Sequence, residues 1–341
     1  MKRKQVMILF MTALLLTGCG KDIKLTTGLA KNEIFKIQGE TEELAEVTLV
    51  LVNEKNSYEN SLGQDIWNRT FDGISLENEI KEKVKKQLIE LFVIHQMAKK
   101  DGMTLSDGDK EQIGQAADTY FAEIPDEERQ KLGITRDIVY HFYEKLYLTD
   151  LYYEKKTKDE GKEISDEDAR VIKVMYIYFK TGEKDIYGNV SPYEESKVAA
   201  IKDKALDILD KVNQGGDFQS LAAEYSDSSQ YQSVFGRGTM QESFEEAAFS
   251  LTSGQSSGLV EAEDGYYIIK CVNDYLEKET EENKESMRKK HKAEAFLENY
   301  RPFLENQDVE FNNKVWDKIS MEEYQDCSTD SLYEVYYACK I

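Results

Sequence analysis

Apolar residues recur along this chain at two spacings, and the change from one to the other divides it. Over 76–100, Ile80, Val84, Leu88, Leu91 and His95 fall at steps of three and four, the period of a helix with one buried face. Asp101-Gly102 supplies the stop, Ser106 is placed to cap a helix toward Phe121, and Thr135 to cap one over 137–153. Tyr140, Phe142, Tyr143, Tyr147, Tyr152 and Tyr153 crowd that last stretch. They read as packing surface, with an aromatic cradle for unfolded peptide as the functional alternative. Ahead of the helices, residues 33–37 alternate at a period of two, as a strand does.

The charged run over 155–163 breaks this periodicity, and Ser165-Asp-Glu-Asp168 restarts it as a capping box. The next hundred residues predict a strand at 174–179, a loop holding Gly182, Gly188 and Pro192, helices at 194–212, 218–225 and 242–251, and a strand at 265–272. The closing links are too short for crossovers, so the strands pair antiparallel. Residues 278–305 return to a helical pattern, with Ala293, Phe296, Leu297, Tyr300 and Leu304 on one face, and 308–319 reads as a small strand and a terminal helix. A piece that short does not fold alone, so it is expected to dock onto the first helices.

The chain has 341 residues, 40% of them apolar, and a formal charge of −22. An acidic excess without a basic cluster argues against a nucleic-acid partner. Lys2, Arg3 and Lys4 precede an apolar run, 6–16, too short to span a bilayer comfortably, which reads as a secretory signal. Leu16-Thr17-Gly18-Cys19 resembles the bacterial lipobox, which implies cleavage before Cys19 and lipid on its thiol, with the protein on the outer face of a cytoplasmic membrane. Losing Lys2, Arg3 and Lys4 would take the charge from −22 to −25. Of the remaining cysteines, Cys327 and Cys339 could close a short loop, leaving Cys271 unpaired. No sequence signature of a cofactor or metal site is present.

Several stretches occur in an order that resembles parvulin-type peptidyl-prolyl isomerases. They are Gly216-Asp217-Phe218, Glu224-Tyr225-Ser226, Phe235-Gly-Arg-Gly-Thr-Met240, Phe244-Glu-Glu-Ala-Ala-Phe-Ser-Leu251, Ser257-Gly258 and Gly265-Tyr-Tyr-Ile-Ile-Lys270. With the lipobox and helical flanks, the layout is similar to membrane-anchored parvulin foldases of Gram-positive bacteria. The resemblance implies an α+β fold in which a parvulin-like domain, a small antiparallel sheet with surrounding helices, is inserted in a mostly helical chaperone-like domain. The expected divisions are a signal at 1–18, a tether at 19–32, the helical domain at 33–165, the parvulin-like domain at 168–275, a docking segment at 278–320 and a tail at 321–341. Clients would be unfolded or partly folded exported proteins, and the flanking helices leave room for a homodimer.

Rotating an X–Pro bond needs neither nucleophile nor metal; the obstacle is lost amide resonance. An apolar seat for the proline ring and hydrogen bonds to the twisted amide are what lower it. By resemblance Met240 and Phe244 floor that seat. The family's two facing histidines fall on Tyr176 and Tyr267, and the residue completing their polar network falls on Ser228. The two tyrosine hydroxyls could hydrogen-bond each other across the strands while staying neutral. The alternative function is a noncatalytic holdase or peptide-binding module that has lost the histidine pair.

Overall fold

The computed structural model describes residues 24–25, 28–71, 73–160, 163–185 and 190–340. The expected signal, 1–18, and Cys19 lie outside them. Its strands are β1 (Lys24–Leu25), β2 (Glu33–Ile37), β3 (Glu40–Glu43), β4 (Thr70–Phe71), β5 (Ile74–Ser75), β6 (Val171–Lys180), β7 (Gly182–Lys184), β8 (Val190–Pro192), β9 (Gln232–Gly236), β10 (Val260–Ala262), β11 (Gly265–Asn273) and β12 (Val309–Phe311). Two compact units share the chain: 1–159 with 293–341, and 160–292.

The discontinuous unit is built on helices Leu44–Leu62, Leu76–Lys100, Asp107–Glu123, Asp126–Leu132 and Arg136–Lys156. Ser75, Ser106 and Thr135 cap three of them by accepting the backbone N–H three residues on, which satisfies donors the first turn leaves open. A four-stranded sheet in the order β1-β12-β2-β3 joins the two ends of the sequence. Lys24 and Leu25, expected in the tether, instead form β1 because the edge of β12 offers them a parallel partner. The aromatic residues of Arg136–Lys156 are mostly core: Phe142 and Tyr143 are fully buried and Tyr153 packs on Phe296 with centroids 5.1 Å apart.

Residues 321–341, expected as a tail, contain a helix, Leu332–Cys339, packed into this unit. Tyr336 lies against Tyr143, centroids 5.4 Å apart, and Tyr333 against Phe142 at 6.1 Å. Buried polar groups fix the docking. Asn53 Nδ2 donates to Tyr120 Oη at 2.7 Å, Asn53 Oδ1 accepts from Leu332 N at 3.1 Å, and Tyr143 Oη donates to the Leu332 carbonyl at 2.6 Å. Glu128 accepts from the backbone N–H of both Ser328 and Thr329. Each would be costly to bury unpaired. Cys327 and Cys339 are free thiols, so the short disulfide loop is not formed.

The second unit is an antiparallel sheet in the order β10-β11-β6-β9 with helices on both faces. Its alternation is that of a strand buried on two sides. Ile177, Phe179, Tyr266 and Ile268 meet the helices Glu195–Asn213 and Phe218–Tyr225, while Ile172, Val174 and Ile269 meet Glu242–Phe249. The unit extends past 275 because Thr280, fully buried, accepts the Val171 N–H through Oγ1 at 3.0 Å.

One carboxyl of the helical unit carries a stability cost. Glu90 is buried, its Oε1 has no partner among the described residues, and burial raises its pKa to about 8. The unfolded chain ionises this group near 4.5, so its neutral form favours the fold fully below that pH and the advantage is lost as pH rises through 8. We expect Glu90→Gln to unfold with the wild type at about pH 4 and at a higher temperature at about pH 9, as followed by circular dichroism, since the amide does not titrate. Equal melting temperatures at both pH values would contradict this.

Candidate functional site

The site lies on the β6/β11 face that meets helix Glu242–Phe249. In the ladder Tyr267 stands opposite Tyr178 and Ile269 opposite Tyr176, so Tyr176 and Tyr267 are diagonal neighbours on one face. Their rings meet edge to face, centroids 5.9 Å apart. Beneath them Phe244, 2% exposed, touches Tyr176 at 5.7 Å, Tyr267 at 5.0 Å and Phe235 at 5.9 Å between centroids. Met240, half-buried, packs on the same cluster. The structure thus brings Tyr176, Tyr267, Met240 and Phe244 together, with Phe244 as the support of the rings rather than an open floor.

The hydroxyls go elsewhere. The expected Tyr176–Tyr267 hydrogen bond is not made, because the diagonal register points the two phenols to different acceptors. Tyr176 Oη donates to the Gln230 carbonyl at 2.6 Å, and Ser228 Oγ donates to the same oxygen at 2.7 Å. Tyr267 Oη donates to Asp264 Oδ1 at 3.0 Å, while Tyr178 Oη donates to the Asp264 carbonyl at 2.9 Å. Ser228 therefore belongs with Tyr176 in one polar knot, and Tyr267 with Tyr178 in another.

Tyr178 and Asp264 were not singled out from the sequence. Tyr178 stacks on Tyr267, centroids 4.7 Å apart and planes 25° apart. Its signal was parity: it lies two residues beyond Tyr176, hence on the same face. Asp264 precedes Gly265 in the β10–β11 turn and is 4% exposed. Gly265 itself has no room for a side chain, since a Cβ there would run into the Phe179 carbonyl. That close approach holds the turn tight and sets Asp264 under both phenols. Burial first, and then the Asp264 carboxylate, hold the Tyr267 and Tyr178 phenols above their ordinary pKa.

Residues 178–273 match the protein-family model described as the PPIC-type PPIase (rotamase) domain. That match supports a parvulin-type domain, of the peptidyl-prolyl cis-trans isomerase class by resemblance, in the 160–292 unit. Tyr176 lies just ahead of the matched stretch. Over 263 residues the chain is 27% identical to the foldase protein PrsA of Caldanaerobacter subterraneus subsp. tengcongensis, covering 75% of this chain and 77% of that one. Against foldase protein PrsA 4 of Bacillus cereus it is 34% identical over 146 residues, 39% of this chain and about half, 52%, of the relative. A stretch of 69 residues, 19% of this chain, is 45% identical to 41% of the peptidyl-prolyl cis-trans isomerase ESS1 of Saccharomyces cerevisiae. The solved structure of PrsA from Bacillus cereus aligns with 80% of this chain and 98% of its own at 20% identity and a TM-score of 0.36.

With Tyr178 and Tyr267 held neutral, nothing in these two phenols titrates where an imidazole would. Cis-to-trans rates on a proline tetrapeptide should therefore be flat between about pH 6 and 8. A severalfold step in that window would place an ionising group in the site that these contacts do not supply. Tyr267→Phe should lower the stability of this unit by about 1–3 kcal/mol, because buried Asp264 loses a donor. Urea unfolding measures it.

Proposed function

We propose that this chain is an extracytoplasmic foldase that seats proline-containing segments of exported proteins against Tyr176, Tyr267 and Met240 and speeds X–Pro isomerisation. The observation carrying this reading is the ring cluster over Phe244, an apolar wall inside a domain of the PPIC type. A planar amide is charge-separated by resonance and loses that polarity as it twists, across about 18–20 kcal/mol. An apolar wall therefore favours the twisted state relative to the planar one. Tyr176, Tyr178, Tyr267 and Ser228 already donate to protein oxygens, so their work is to hold the wall rather than to hydrogen-bond the substrate. The holdase alternative is not favoured, given the named isomerase and foldase relatives.

The test is turnover of the full chain on proline tetrapeptides. Met240→Ala should lower the rate about ten-fold, as expected for losing one to two kcal/mol of apolar contact. Tyr176→His with Tyr267→His should raise it if imidazoles serve this seat better than committed phenols. A wild-type rate equal to the uncatalysed one would overturn the isomerase reading.

The same proposal places the protein on the outer face of a cytoplasmic membrane through lipid on Cys19. Among the described residues no helix is long and apolar enough to cross a membrane. Cys19→Ser should move the protein out of the membrane fraction or leave it unprocessed. An uncut wild-type N-terminus with unchanged fractionation would refute the anchor.

A further inference from the structure

One cleft of the discontinuous unit differs in sign from the chain around it. It holds about 560 Å³ and is lined by Leu29, Lys31, Lys314, Lys318, Glu323 and Tyr324, among others. Asn312, buried behind it, donates from Nδ2 to the Ala30 and Glu33 carbonyls at 3.1 and 3.0 Å, which pins the segment after β1 to the turn after β12. The protein has 66 acidic residues against 44 basic ones, and most of its lysines with close partners lie against carboxylates. Lys31, Lys314 and Lys318 do not: among the described residues none of them, nor Glu323, forms an ion pair.

A fourth ammonium lies behind the wall. Lys81, 7% exposed, donates to the carbonyl of Ile319, a lining residue, at 2.6 Å and sits 5.7 Å from the centre of the Trp316 ring. Among the described residues it too has no carboxylate partner. A buried cation compensated only by a carbonyl and a ring face leaves a net positive field at the cleft. Apolar side chains, Leu29, Leu44 and Val315, share the lining. The cleft therefore offers cations and hydrocarbon side by side.

Its position supplies the ligand class. β1 pairs Leu25 with Phe311, and Asn312 follows at once, so the chain leaves the cleft toward its N-terminus through β1. Cys19 is five residues before Lys24, no more than about 18 Å along an extended chain. The geometry points to this cleft as a seat for the phosphate-bearing headgroup of an anionic phospholipid in the bilayer that holds Cys19. The assignment rests on the anchor proposed above and adds a headgroup contact that docks the helical unit on the surface. At about five-fold for each net positive charge near an anionic surface, three lining lysines against the one Glu323 carboxylate supply on the order of 25-fold preference for anionic over neutral lipid.

The experiment uses the mature, lipidated chain in vesicles of pure phosphatidylcholine or of an equal mixture with phosphatidylglycerol. Flotation reports the anchor, and the rate of lysine acylation by an amine-reactive ester, read by mass spectrometry, reports the cleft. The expected result is flotation with both vesicles, and Lys31, Lys314 and Lys318 protected several-fold only in the mixture, with Lys278 unchanged. Lys314→Glu with Lys318→Glu should keep flotation and abolish the protection of Lys31. Equal acylation in the two vesicles overturns the headgroup seat while leaving the anchor standing. Protection by inorganic phosphate in pure phosphatidylcholine, equal to that in the mixture, overturns the lipid as occupant in favour of a free anion. Failure to float with either vesicle overturns the anchor and the seat that depends on it.

Discussion

The antiparallel ladder between β6 and β11 runs from Gly265 opposite Lys180 to Asn273 opposite Lys173, and the rings of the site take their places from it. One residue of slip would exchange the two faces, sending Tyr267 toward the long helix Glu195–Asn213 and Tyr266 toward Glu242–Phe249. Gly265 helps to fix that register, because the Phe179 carbonyl occupies the space a side chain would need. The turn before it then delivers Asp264 to two phenols at once. Strand pairing, turn geometry and site chemistry are thus one constraint seen at three scales.

The helical unit depends on a different device. Its core is apolar, but several interior positions are polar and satisfied only across long sequence separations. Lys145 bridges Glu42 and Glu46 at 2.7–2.9 Å. Burial acts against its charge, and the two carboxylates outweigh that and leave its pKa above the ordinary value. Breaking one partner out of such a set strands the others in a low-dielectric interior, so losing one member costs far more than the intact set contributes net.

How far the sequence discloses this varies with the kind of interaction. The parvulin-like sheet shows in its motifs and in the alternation of Val174 to Phe179, and Ser106 and Thr135 announce their helices by capping chemistry. Side-chain direction is another matter. That Tyr176 and Ser228 share the Gln230 carbonyl, while Tyr267 turns to Asp264, follows from a diagonal register and a turn that residue identity does not encode. Helix Leu44–Leu62 lacks a stripe because Val47 to Val52 are buried on every side, so periodicity is silent there. The helix Leu332–Cys339 hides for a related reason: Tyr333 and Tyr336 pack on Phe142 and Tyr143, and Leu332 is held by Asn53 and Tyr143, all far upstream in the sequence.

That last arrangement bears on the order in which a threaded chain can mature. A polypeptide that emerges N-terminus first presents 44–156 long before 328–332, yet Asn53 Oδ1, Asn56 Nδ2 and the Glu128 carboxylate take their long-range partners from the latter. The 160–292 unit has its sheet and both helical layers complete before the end of the chain has emerged. Domains generally fold as units, so the segment that emerges first is the last to be finished, and it waits with its polar interior open to water until the final helix arrives.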